Sequence, residues 1–227
     1  SNTLKNAYNI LDNTEYEPKY EILSCSGEQL ASSLSYKSIF KDLDKIYSSS
    51  YISALQTTKY IARNNNMKIN VTSSLDEHIR GHLGSLTLKE TIEHELNDFD
   101  FKLRYGESLN ETKQRLTDFL KKVLAEKDEK VALISHNNAI FCLLLNWCEL
   151  GYNYEQEPIL SFNDEIIHDG IINNPEVFEL KFKDGRTAKC SRDHLWSYCK
   201  YSQNKSSREN RKFFTSTVTE LQNRKLQ

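Results

Sequence analysis

Several features that would reveal a compartment or a cofactor are missing from the sequence. No apolar run approaches the roughly 18 residues of a membrane span, and no charged-then-apolar signal segment opens the chain. The five cysteines (Cys25, Cys142, Cys148, Cys190 and Cys199) are odd in number and form no Cys-x-x-Cys pair. That argues against a disulfide framework or a zinc site and for the reduced thiols of a cytoplasmic protein. No P-loop, no Gly-x-Ser-x-Gly elbow and no internal repeat occurs, and Gly81-x-x-Gly84 is too sparse to be a phosphate loop. Met67 is the single methionine and Ser1 the first residue, as in a chain cut at the front.

What remains is a polar, globular composition. The 227 residues are 38% hydrophobic and 27% charged, enough for one large α/β domain or one domain with appendages. The net charge of −2 conceals an asymmetry, because from Trp196 onward seven Lys/Arg stand against two Glu. We expect a domain over residues 1–195 and a basic tail over 196–227, helical or loose and solvated rather than bound to nucleic acid.

The most informative stretch is Val131-Ala-Leu-Ile-Ser-His-Asn-Asn138, which follows the charged run Glu126 to Lys130. A short apolar run with such flanks predicts a strand buried on both faces of a parallel sheet. Ala139, Ile140, Leu143, Leu144 and Trp147 follow at helical spacing. Ser135-His136-Asn137 thus falls at a strand-to-helix switch, where open α/β sheets bind ligands and a helix start offers N–H groups to an anion. Taken alone, His136 is as readily a capping or core histidine as a functional one.

Other segments complete a parallel α/β plan. Residues 44–49 predict a short strand ending in hydroxyls, residues 51–62 an amphipathic helix, and residues 67–71 a second strand. Together these form a βαβ unit. Residues 23–28 predict a turn leading into a helix, with Leu30, Ala31, Leu34, Ile39 and Phe40 at roughly helical spacing, and residues 1–20 a loop with one helical turn near Leu4 to Leu11. Thr87-Leu-Lys-Glu90 and Ser108-Leu-Asn-Glu111 are capping-box patterns that open helices. His78 and His82 have the spacing of zinc ligands on a helix, but Gly81 and Gly84 argue against a helix there. Glu77 is either a solvated loop carboxylate or a proton donor. Residues 151–169 form a lid or a plain connection with a short strand at 159–162, and residues 175–190 an edge hairpin turning at Asp184-Gly185.

Five blocks stand in a recognisable order: Leu23-Ser24-x-x-Gly27-x-x-x-Ala31; Ile46-Tyr47-Ser48-Ser49 with Ala54-x-Gln56-Thr57; Leu75-x-Glu77-x-x-x-Gly81; Gly106-Glu107-Ser108; and Ser135-His136. This order resembles the histidine phosphatase superfamily, the phosphoglycerate mutase-like proteins, over about residues 20 to 195. The resemblance implies a three-layer α/β fold with a mostly parallel central sheet flanked by helices. It also implies hydrolysis of phosphomonoesters through a phosphohistidine, without a cofactor or metal. His136 matches the second histidine, which stabilises the phosphoryl group, and Glu77 matches the proton donor. The ligand would be a phosphorylated small molecule or a phosphoprotein.

Three departures qualify the match. No Arg-His-Gly, the family's nucleophile motif, occurs in the sequence. We expect it upstream of Ser1, and expect no turnover from Ser1 onward without it. Ser53 stands where a phosphate-binding arginine belongs, and Asn137 follows His136 where a small residue is usual. A hydroxyl in place of a guanidinium fork would cost on the order of 2–4 kcal/mol of transition-state stabilisation. The alternative is a weakened or inactive relative that binds a phospholigand or a protein.

Overall fold

The apolar run does form a central strand. The computed structural model describes residues 18–169, 175–183, 186–193 and 210–216, and in it β3 (Lys130–Ser135) is buried along nearly its whole length. Its side chains alternate between two cores, as the period of a strand requires. Val131 and Leu133 join one apolar cluster, Ala132 and Ile134 the other. Each fully buried Leu or Ile contributes roughly 1.5–3 kcal/mol, so the strand holds both layers to itself.

Helices cover both faces. On one lie α1 (Cys25–Leu34) and α2 (Ile52–Asn64), which contribute Leu34, Ala54, Ile61 and Ala62. On the other lie α4 (Leu109–Ala125) and α5 (Asn137–Leu144), which contribute Leu116, Leu120, Val123, Ile140 and Leu143. A further helix, α3 (Leu88–Asn97), opens with the capping box expected at Thr87 and Glu90, and α4 with that at Ser108 and Glu111.

The main sheet has the order β2-β1-β3-β9-β7-β8, with β1 (Lys45–Ser48), β2 (Asn70–Val71), β7 (Val177–Lys183), β8 (Arg186–Asp193) and β9 (Asn210–Ser216). β1, β2, β3 and β9 are parallel, while β7 pairs antiparallel with β9 and β8. The βαβ unit and the edge hairpin are present as expected; the Asp184-Gly185 turn and residues 1–17 lie outside the described residues. β2 is shorter than the alternation at 67–71 implied, because the Met67 N–H is still bonded to the Ala62 carbonyl at 2.9 Å and so belongs to the end of α2. Residues 151–169 fall in a three-stranded meander of β4 (Glu149–Tyr152), β5 (Pro158–Phe162) and β6 (Glu165–His168). Its second turn places Asn163 and Asp164 at φ of 50° and 65°, the twist that suits a tight hairpin.

The tail differs most from expectation. Part of the segment expected to be helical or loose supplies β9, which pairs with β3 from Lys130↔Arg211 to Ser135↔Ser216. β3 therefore has a strand on each side. A backbone ladder needs no particular side chains, so basic Arg211 and Lys212 do not prevent it.

Candidate functional site

The parallel register brings three chain segments together at the carboxyl ends of β1 and β3. Ser48-Ser49-Ser50 leaves β1, with the Ser49 N–H still bonded to Ile134 O at 2.9 Å. Ser135-His136 leaves β3. The segment after β2 is anchored by Thr72 N–H on Ser48 O at 2.9 Å, and passes through a 3-10 turn (Ser73–Leu75) to Asp76 and Glu77.

His136 is 3% exposed and is the N-cap residue of α5, but its side chain does not cap the helix. Its Nε2 lies 2.7 Å from Ser49 Oγ, and its ring is tilted against Tyr51 at 4.6 Å between centroids. Ser49 Oγ–H donates to Asp76 Oδ1 at 2.7 Å. The same carboxylate accepts the Ser50 N–H at 2.7 Å and the Ser50 hydroxyl at 2.8 Å. Burial pulls the His136 pKa below its ordinary value, against the opposing influence of Glu77 and Asp76. The ring is therefore neutral near pH 7. Burial, with Asp76 and Glu77, pushes the Tyr51 phenol up to about 12.

Glu77 supplies the cap that His136 does not. Its Oε1 accepts the N–H of Ala139 at 2.9 Å and of His78 at 2.8 Å, and Oε2 stands 3.5 Å from Asn138 Nδ2. A carboxylate at a helix start satisfies an orphan donor and meets the positive end of the dipole. This places Glu77 on the same helix end as His136, and it is more than a solvated loop acid.

Arg115, on α4, holds the segment that carries both acids. Its guanidinium donates to the carbonyls of Ser73, Ser74 and Asp76 at 3.3, 3.1 and 3.1 Å, and to that of Glu77 at 3.4 Å. It also forks onto Glu107 at 3.0 and 2.8 Å. Burial would raise the Glu107 pKa, but the bonds from Arg115 and Thr112 outweigh it and hold the carboxyl below its ordinary range. Behind this brace, His78 bonds Thr112 through Nδ1 (2.8 Å) and Glu95 through Nε2 (3.1 Å), and Arg80 Nε reaches the same Glu95. Gly81 and Gly106 let the two loops cross: a Cβ on Gly106 would lie 2.5 Å from Arg80 O, and Gly81 has φ +83°.

Of the four residues singled out by sequence, the structure brings His136 and Glu77 to one helix end. Asn137 is in the first turn of α5, but its Oδ1 is buried without a hydrogen-bond partner, and the residue lines a pocket with Phe141, Leu160, His168 and Phe178. Ser53 is 4% exposed on α2, where its carbonyl accepts the Thr57 hydroxyl at 3.0 Å. Sequence reasoning missed Ser49, Ser50, Asp76 and Arg115; the serine triplet at a strand end and an acid beside Glu77 were the available signals. Among the described residues, no group of three His, Cys, Asp or Glu side chains is arranged to hold a metal, and no helix is long and apolar enough to cross a membrane.

The arrangement is that of an α/β protein with a histidine at the carboxyl end of its central strand. The sequence profile of the histidine phosphatase superfamily (branch 1) matches residues 22–163, and the chain belongs to that superfamily. Among solved structures, it is similar to mycobacterial hydrolase 1, at 18% identity and TM-score 0.51, with 70% of this chain and 93% of that one covered. Mycobacterial hydrolase 2 aligns at 16% identity and TM-score 0.50, covering 71% and 88%. These two likenesses support the fold and nothing finer. No curated protein sequence matches the chain.

Proposed function

We propose that the protein acts on phosphomonoesters through a phosphohistidine intermediate, with His136 stabilising the phosphoryl group and Glu77 donating the proton. The observation that carries this reading is the shared helix end: in a chain of this superfamily, a buried neutral histidine and the Glu77 carboxyl group both stand where β3 passes into α5. In the first step the phosphorus–oxygen ester bond breaks as a phosphorus–nitrogen bond forms, and the leaving oxygen takes a proton from Glu77. Water then cleaves the phosphorus–nitrogen bond and returns a proton to the Glu77 carboxylate. Oriented donors stabilise the charge on the transferring group. Ser53 and Asn137 belong to the substrate-binding surface in this reading, and the substrate is a phosphorylated small molecule or phosphoprotein. The free thiols of Cys25, Cys142 and Cys148 suit a reducing cytoplasm.

None of the six histidines stands between an arginine and a glycine, so this reading assigns the attack to no residue of the sequence. Acid-labile phosphohistidine, trapped in the protein and located by mass spectrometry, identifies the attacking group. On para-nitrophenyl phosphate, His136→Ala should lower kcat by about 10²–10³-fold, as loss of an oxyanion donor does. Turnover indifferent to that substitution would overturn the assignment.

A further inference from the structure

We propose that Asp76 is a positioning residue for His136: acting through Ser49, it keeps the imidazole proton on Nε2. The inference rests on the reading of His136 as a hydrogen-bond donor to a phosphoryl oxygen and deepens it, because a neutral imidazole has only one N–H and must carry it on the right nitrogen.

The argument is a proton count along a chain of three groups. A serine hydroxyl has one proton, and that of Ser49 is committed to Asp76 Oδ1 at 2.7 Å, since a carboxylate can only accept. Ser49 Oγ is then an acceptor for everything else around it. It accepts the Tyr51 N–H at 3.2 Å, and its 2.7 Å approach to His136 Nε2 requires the proton to be on that nitrogen. The direction of the chain depends on Asp76 staying an acceptor in place. The Ser50 N–H and hydroxyl hold its carboxylate, and Arg115 holds its carbonyl. The Nε2–H is thereby held on the Ser49 oxygen at the carboxyl end of β1, and a phosphoryl oxygen receives it by displacing or sharing that acceptor.

Removing the acceptor should release the chain. In Asp76→Ala the Ser49 hydroxyl loses its carboxylate acceptor and can turn its proton to His136 Nε2, which lets the imidazole proton move to Nδ1; Asp76→Asn keeps an oxygen on Oδ1, where the Ser50 N–H must find an acceptor, and should keep the wild-type tautomer. The test uses protein labelled with ¹⁵N-histidine and long-range ¹H–¹⁵N correlation spectra above the His136 titration. Wild type should show the Nε2–H pattern, Asp76→Ala should shift it towards Nδ1–H, Ser49→Ala should lose the preference, and Ser49→Thr should restore it. An Nδ1–H wild type, or a tautomer indifferent to both Asp76→Ala and Ser49→Ala, would overturn the proposal. If Asp76→Ala fails to fold, the Ser49 pair decides it. Inorganic phosphate added to the same samples separates this inference from the functional reading. A tautomer that obeys Asp76 while phosphate leaves His136 unmoved keeps the relay and counts against the phosphoryl site; the opposite result removes the relay alone.

Discussion

Two histidines are buried to nearly the same degree, His78 at 5% and His136 at 3% exposure, yet their surroundings could hardly differ more. His78 is tied at both ring nitrogens, to Thr112 and Glu95, and Glu95 is bonded in turn by Arg80. Through Thr112 and Glu107 the same network reaches Arg115 and the loop carrying Asp76 and Glu77. His136 meets an aromatic ring and a serine hydroxyl, with carboxylates one residue further off. Burial costs the charged form of any histidine. At His136 burial prevails and the pKa falls. Equal burial therefore accompanies a ring tied at both nitrogens in one place and, in the reading proposed above, a phosphoryl site in the other.

The largest effect should come from breaking the brace. Glu95→Ala leaves both the His78 ring and the Arg80 guanidinium without their shared acceptor, and loss of one partner from a buried charged pair costs about 3–5 kcal/mol. Urea unfolding should show a lower midpoint at unchanged slope. A change below about 1 kcal/mol would mean that the network is solvated and the contrast with His136 overdrawn. Next comes the acid limb of stability. Because the folded pKa of His136 is depressed from 6.5, the folded state binds fewer protons than the unfolded one. Its contribution is complete above pH 6.5 and is lost as pH falls from there towards the folded value, with a slope of at most about 1.4 kcal/mol per pH unit. Glu95 and Glu107, held below 4.5, lose theirs only at lower pH, as they are protonated through their folded values. His136→Gln should flatten the first stage in urea melts taken at successive pH values and leave the second. A wild-type profile with no slope just below pH 6.5 would contradict the neutral, buried His136.

How much of this was legible beforehand follows from the range of the interactions. The β3 run, the α2 face and both capping boxes are local patterns, readable within a few residues, and they appear in the structure. Ser135-His136 could be placed at a strand end for the same reason. The Ser49–Asp76 bond spans 27 residues and the His136–Ser49 bond 87, and no pattern within a strand or helix encodes such meetings. Arg115 looks like any solvent-facing arginine on an amphipathic helix until four carbonyls of a distant loop converge on it. β9 was hidden by chemistry rather than distance: five of the seven residues of Asn210-Arg-Lys-Phe-Phe-Thr-Ser216 are polar, and its place in the sheet depends on a backbone edge that β3 offers.

The smallest expected change in stability carries the sharpest functional contrast. Glu77 has two separable properties, an oxygen that accepts the Ala139 N–H and a carboxyl that can carry a proton. Glu77→Gln keeps the first and removes the second. Its Oε1 can still cap α5, so only the charge–dipole contribution is lost, about 0.3–1 kcal/mol and decreasing with added salt. If Glu77 is the proton donor, turnover should fall by about 10²–10⁴-fold on alkyl phosphates, whose leaving oxygen needs a proton, and much less on para-nitrophenyl phosphate, whose leaving group does not. A large loss of stability with equal rate losses on both substrates would make Glu77 a structural cap and place it with His78 in the brace. A near-unchanged melt with a leaving-group-dependent rate would place it with His136 in the proposed phosphoryl site.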